Sequence, residues 1–116
     1  MKYLIAVASY DGANIDLHFG HTGTFSIVEV TDNKEWDFIG EREVSPGCNG
    51  ECDHNRIYEV GESLKDCKYA LSAKIGPGAA SILRNLGIIA LEIEAPIDYA
   101  IEKLMIYDQR KVNANR

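Results

Sequence analysis

Two histidines, His18 and His21, lie in the stretch SYDGANIDLHFGHTGTF that runs from Ser9 to Phe25, with Phe19 and Gly20 between them. Neutral imidazole is a good ligand for iron, zinc, copper or nickel. A glycine-bearing loop leaves at least one of these rings free to face a pocket, although a lone loop histidine is ordinarily just polar surface. A second stretch, Lys74-Ile75-Gly76-Pro77-Gly78-Ala79, suits an anion. Its two glycines let the backbone approach a ligand, and the start of a helix offers free N–H groups and a positive dipole end. Lys74 adds a mobile charge. The spacing is not that of a Walker-type P-loop, and a tight turn with a solvated lysine is the plainer alternative. A third cluster, Cys48-Asn49-Gly50-Glu51-Cys52-Asp53-His54, holds soft donors for zinc or an iron–sulfur species. Structural zinc wants four ligands, and no second pair of cysteines is present. Cys67 stands alone near a strand and reads as a small buried hydrophobe.

Hydrolytic chemistry finds little here. Ser9, Ser72 and Ser81 have no nucleophile elbow, and no pair of acids stands out in the loops. The acidic residues between 29 and 43 read as the solvated face of a hairpin. Eighteen acidic residues against twelve basic ones give a formal charge of −6, which argues against the basic stripe of a nucleic-acid binder. The longest apolar run falls far short of the roughly 20 residues that span a bilayer. Three cysteines and no export signal point to the cytoplasm, with reduced thiols. On the residues alone the expectation is a binding domain for an anionic ligand, with or without a metal.

These groups need elements to hold them. Tyr3–Ser9 is a nearly continuous apolar run of strand length, as expected of a central strand buried on both faces. Phe25–Val30 alternates and is β-branched; Asp32-Asn33 makes a turn, and Trp36–Val44 completes a hairpin. Helical spacing runs from Asn55 to about Leu64, then comes a short strand at Tyr69–Ser72. Pro77 opens a helix that Gly87 ends, Ile88–Ile93 is a last strand, and Pro96 opens a final helix with Ile97, Ala100, Ile101, Leu104 and Met105 as its buried face. A hairpin unit with two crossovers after it predicts a three-layer α/β domain over residues 1–107, with a five-stranded mixed sheet and about three helices. Residues 108–116 read as a polar, frayed tail. Ligands gather where parallel strands end, and those ends lead into Ser9–Phe25 and Ala73–Gly78. The glycines of the first loop predict partial disorder around 14–24 in the absence of ligand.

At these residues the chain resembles the dinitrogenase iron–molybdenum cofactor biosynthesis family, meaning the NifX/NifY group and the tail domain of NifB. The matching pieces are IAVASYDGANIDLHFGHTGTFSIVEV, PGCNGEC and LKDCKYALSAKIGPGAASILRNLGIIALEI. The resemblance implies a ribonuclease-H-like fold without ribonuclease activity. It also implies a carrier or scaffold for iron–molybdenum cofactor or its iron–sulfur precursors in nitrogenase assembly, with donor and acceptor assembly proteins as partners. No nucleic acid, no membrane, and a monomer or weak dimer are expected. The family's HFG motif falls on His18, Phe19 and Gly20, with His21 just beyond, and its IGPG turn on Gly76–Gly78 beside Lys74. Metal ligands are therefore expected among His18, His21, Cys48 and Cys52. The cysteine loop is similar to the family's PxCxG segment but carries Cys52 in addition. Small relatives similar to the orange protein, which holds a molybdenum–copper–sulfide cluster, supply an alternative cargo, and a partner-binding regulatory module with no cluster is another.

Overall fold

Strand β1 (Lys2–Ala8) is the axis of the sheet, and its composition explains why. Ile5, Ala6, Val7 and Ala8 are all fully buried, because each face of the strand meets a different layer. The computed structural model describes the backbone of residues 1–44, 48–49, 51–52 and 54–114, and the side chains of 1–44 and 55–111. Along the chain β1 is followed by a 3-10 turn (Phe19–His21), β2 (Thr24–Thr31), β3 (Glu35–Glu43), β4 (Cys48–Asn49), β5 (Glu51–Cys52), α1 (His54–Ser63), β6 (Cys67–Ser72), α2 (Pro77–Asn85), β7 (Ile89–Glu92) and α3 (Ile97–Ala114). The five-stranded sheet has the order β3-β2-β1-β6-β7. β1–β2 and β2–β3 pair antiparallel, while β1–β6 and β6–β7 pair parallel. This is the expected three-layer α/β arrangement. The separate β4–β5 ladder was not anticipated.

On β1 and β6 the two faces of the sheet differ in side-chain size. Ala6, Ala8 and Ala70 face the layer of Ile57 and Val60 from α1, Leu64 just after it, and Ala79 and Leu83 from α2. Small residues there let two helices lie close to the sheet. On the other face Tyr3, Ile5, Val7, Tyr69 and Leu71 meet Ile97, Ala100, Ile101, Leu104 and Met105 of α3. The turns are those their residues favour. Asp32 and Asn33 both take positive φ, 55° and 52°, a backbone that Asp and Asn tolerate, in a three-residue link closed by the Lys34 N–H donating to Thr31 O. Gly87, at φ 86°, ends α2. There the Ile88 N–H donates to Leu83 O and the Gly87 N–H to Arg84 O, a paired closure of the last turn.

One expectation needs correction. Residues 108–114 are not a frayed tail: α3 continues to Ala114, and the Asp108 side chain is fully buried. Asp108 accepts hydrogen bonds from Tyr69 Oη at 2.5 Å, Lys68 Nζ at 2.6 Å and Asn33 Nδ2 at 3.0 Å. A buried carboxylate with three donors fastens α3 to the sheet. Ile15 N–H donates to Ala95 O and Ile97 N–H to Ala13 O, so the segment before α3 holds the loop of residues 9–23 from one side.

Candidate functional site

The carboxyl ends of β1 and β6 lie side by side, and the first loop is laced to both of them. Leu17 N–H donates to Ala8 O (3.4 Å), Ala73 N–H to Leu17 O (2.9 Å) and Phe19 N–H to Lys74 O (2.9 Å). His18 and Lys74 thereby form a parallel bridge. Two segments more than fifty residues apart meet at one edge, as the rule for parallel strand ends requires.

Local chemistry shapes the loop. Asp11 accepts from the Ala13 and Asn14 N–H groups at 2.8 and 2.9 Å, and Ser9 Oγ accepts from Gly12 N–H at 2.9 Å. Gly12 has φ 76°, which suits this reversal. The backbone donors of Ala13 and Asn14 hold the Asp11 carboxyl at a pKa of about 2, so it stays ionised at neutral pH. Asp16 accepts from Tyr10 N–H at 3.0 Å. Both acids act as ties within the loop.

His18 and His21 are exposed on the 3-10 turn, their ring centroids 6.1 Å apart and their planes tilted by 48°. Two devices fix the turn. Thr22, fully buried, donates from Oγ1 to His18 O at 2.7 Å, and Phe19 is driven into the core against Phe25, centroids 5.4 Å apart. Phe19 is therefore an anchor for the histidines, not a surface facing a ligand. Gly20 sits at the crest between them. Across the bridge Lys74 is exposed, Gly76 caps α2, and Pro77 occupies its first turn. A Cβ at Gly76 would meet no atom within 4 Å, so the space before the helix N-terminus is open, and Gly78 is exposed beside it.

Glu92, at the end of β7, was missed from the sequence. Its Oε1 accepts the Ile75 N–H at 2.8 Å, engaging one backbone donor of the glycine turn and bringing a negative charge to the edge that Lys74 makes positive. Beside His21 opens a cleft of about 450 Å³ lined by Ser9, Asp11, Leu17, Ser26 and Glu41 among others. His21 is in its wall with Asp11 and Glu41, whereas Lys74 and Gly76 are not. Among the described residues no three or more His, Cys, Asp or Glu side chains are grouped to hold a metal ion. The side chains of Cys48, Cys52 and His54 lie outside the described residues. Their backbone sets Cys48 opposite Cys52 in the β4–β5 ladder, and β4 runs beside the 3-10 turn with Cα atoms within 8 Å. Cys67 is buried, and burial pushes its thiol up to about 12, so it is unreactive packing. No helix among the described residues is long and apolar enough to cross a membrane.

This fold is that of a known group. The family described as dinitrogenase iron–molybdenum cofactor matches residues 1–106, and the chain belongs to that family. It is 35% identical over 106 residues to the FeMo cofactor biosynthesis protein NifB of Frankia alni, covering 87% of this chain and 20% of that protein. Against the same protein of Azotobacter vinelandii it is 36% identical over 89 residues, or 73% of this chain and 18% of the other. The chain thus spans about a fifth of the length of these curated relatives. Its fold is shared with the crystal structure of PH0822, at a TM-score of 0.65 and 22% identity over 88% of each chain.

Proposed function

We propose that this chain is a non-catalytic carrier for a preassembled, anionic metallocluster: iron–molybdenum cofactor or one of its iron–sulfur precursors. The observation that carries this reading is the His18–Lys74 bridge. It sets two exposed imidazoles, a lysine and an open helix N-terminus along one edge. Two imidazoles are too few to hold a bare zinc ion, which wants four ligands. They suffice for a cluster that brings its own framework and needs only an outer ligand, while Lys74 and the free N–H groups of α2 balance its charge. The exposure of the edge suits transfer between a donor and an acceptor in cofactor assembly, in the cytoplasm. Family membership and the names of the relatives support the same cargo.

The test is loading. Protein purified without oxygen is mixed with extracted iron–molybdenum cofactor, separated from free cluster by gel filtration, and analysed for iron and molybdenum per chain. Near-stoichiometric co-elution is expected, and His18→Ala should weaken retention by about tenfold or more. No retained metal would reject the carrier reading. Retention of a molybdenum–copper sulfide in its place would keep the site and change the cargo.

A further inference from the structure

The sheet's other exposed feature lies away from the histidine edge. β3 is an outermost strand of nine residues, and its free side pairs with no described strand. Among the described residues α3 and Ile15 of the first loop cover that face of the sheet, leaving Trp36 half-buried and Phe38 49% exposed, stacked edge to face at 5.5 Å. Between them and the loop lies a recess of about 360 Å³, walled by Asn14, Pro96, Ile97 and Asp98.

Charge says what fits. Glu35, Asp37, Glu41 and Glu43 lie on the strand, and none of them has a cationic partner among the described residues. Its one basic residue, Arg42, is held by both oxygens of Asp66 and by Ser63 O. Alternation sorts the side chains: Trp36 and Phe38 lie opposite Val30 and Val28 on the α3 face, with Glu35 and Asp37 on the other. Ile39 is bulged out where the register shifts between Ile27 and Val28. A second copy pairing here would set acid beside acid, and both that repulsion and the bulge oppose self-association.

We propose that the outer edge of β3 docks an extended, cationic segment of a partner protein in which apolar residues alternate with Lys or Arg. Main-chain hydrogen bonds add the segment to the sheet, apolar side chains cover Trp36 and Phe38, and the basic ones meet Glu35 and Asp37. The wall formed by Asn14 links this surface to the loop that carries His18, yet the docking does not depend on any cluster being bound.

Fluorescence anisotropy with labelled Thr-Lys-Val-Lys-Val-Lys-Thr tests this directly. Binding about tenfold or more tighter than for Thr-Glu-Val-Glu-Val-Glu-Thr is expected, along with tighter binding than for Lys-Lys-Lys-Val-Val-Thr-Thr, which keeps the charge and loses the alternation. Amide NMR shifts should concentrate on residues 35–39 and on Gly12 to Asn14. Asp37→Lys and Phe38→Ser, each confirmed folded by circular dichroism, should each weaken binding several-fold. Absent binding, equal affinity for the clustered peptide, shifts centred on β7, or unchanged affinity in both variants would overturn the proposal. So would sedimentation showing that the chain alone dimerises through β3.

Discussion

The two ends of the sheet treat their polar groups in opposite ways. At the amino end of β1 and β6, Asp108, Tyr69, Tyr3, Asn33 and Lys68 form one closed network. Tyr3 Oη donates to Asn33 Oδ1 at 2.5 Å, Asn33 passes a bond to Asp108, and Lys68 lies 5.1 Å from the Tyr3 ring centroid. Burial raises the pKa of both tyrosines, so they remain donors. At the carboxyl end His18, His21 and Lys74 stand in solvent. Groups engaged by the fold's own partners hold the fold; groups kept free at a strand end are available to a ligand. Stability and binding should therefore respond to different substitutions.

The largest effect is expected at the closed end. Asp108→Ala leaves Tyr69 and Asn33 without their acceptor and Lys68 without its counter-charge. A loss of about 3 kcal/mol is expected, lowering Tm by roughly 10 °C or more, with cluster retention unchanged below the transition. Tyr69→Phe removes one charge-assisted bond and should cost about 2 kcal/mol. Acid titration probes the same network. Burial raises the Asp108 carboxyl, but the bonds from Lys68, Tyr69 and Asn33 outweigh it and hold it below 3.8. Its contribution is present above that pH and is lost as the pH falls through the lower, folded value. Wild type should therefore lose stability more steeply below about pH 4 than Asp108→Ala does. Parallel slopes would place the carboxylate outside the stabilising network.

At the open end the signs reverse. His18→Ala removes an exposed ring and should alter stability by less than about 0.5 kcal/mol, while cluster affinity falls about tenfold, near 1.4 kcal/mol. A variant that melts early instead would make His18 part of the scaffold and dissolve the contrast.

How much of this was legible depended on the reach of each interaction. The strands and helices arise from alternation and from Pro and Gly punctuation, which are local. The meeting of His18 with Lys74 was also legible, because both come after strands that had to be parallel neighbours. Asp108 was not. It sits in the polar run YDQRK, and its partners Tyr69 and Asn33 are 39 and 75 residues away. The restraint of the first loop escaped for the same reason: Ala95 and Ile97 hold it, and nothing near Ala13 or Ile15 announces them. Phe19 stands in the sequence as the middle of the HFG motif, and its role as an anchor emerges from its packing against Phe25, six residues further on.

Glu92 provides the finest test, because the fold engages its side chain beside the exposed Lys74. Its carboxylate satisfies the Ile75 N–H and also opposes the charge that an anionic cargo would bring. Glu92→Gln keeps an oxygen for that N–H and removes the charge alone. Between exposed groups in water the relief is under about 1 kcal/mol, so affinity for the cluster should rise two- to fivefold, roughly, and the gain should shrink as salt is added. Stability should stay within about 0.5 kcal/mol. If affinity rises and Tm holds, Glu92 restrains binding at an edge otherwise built to attract anions. An affinity that does not move would mean that the glycine turn lies outside the field of the cargo, leaving His18 and His21 to hold it without α2.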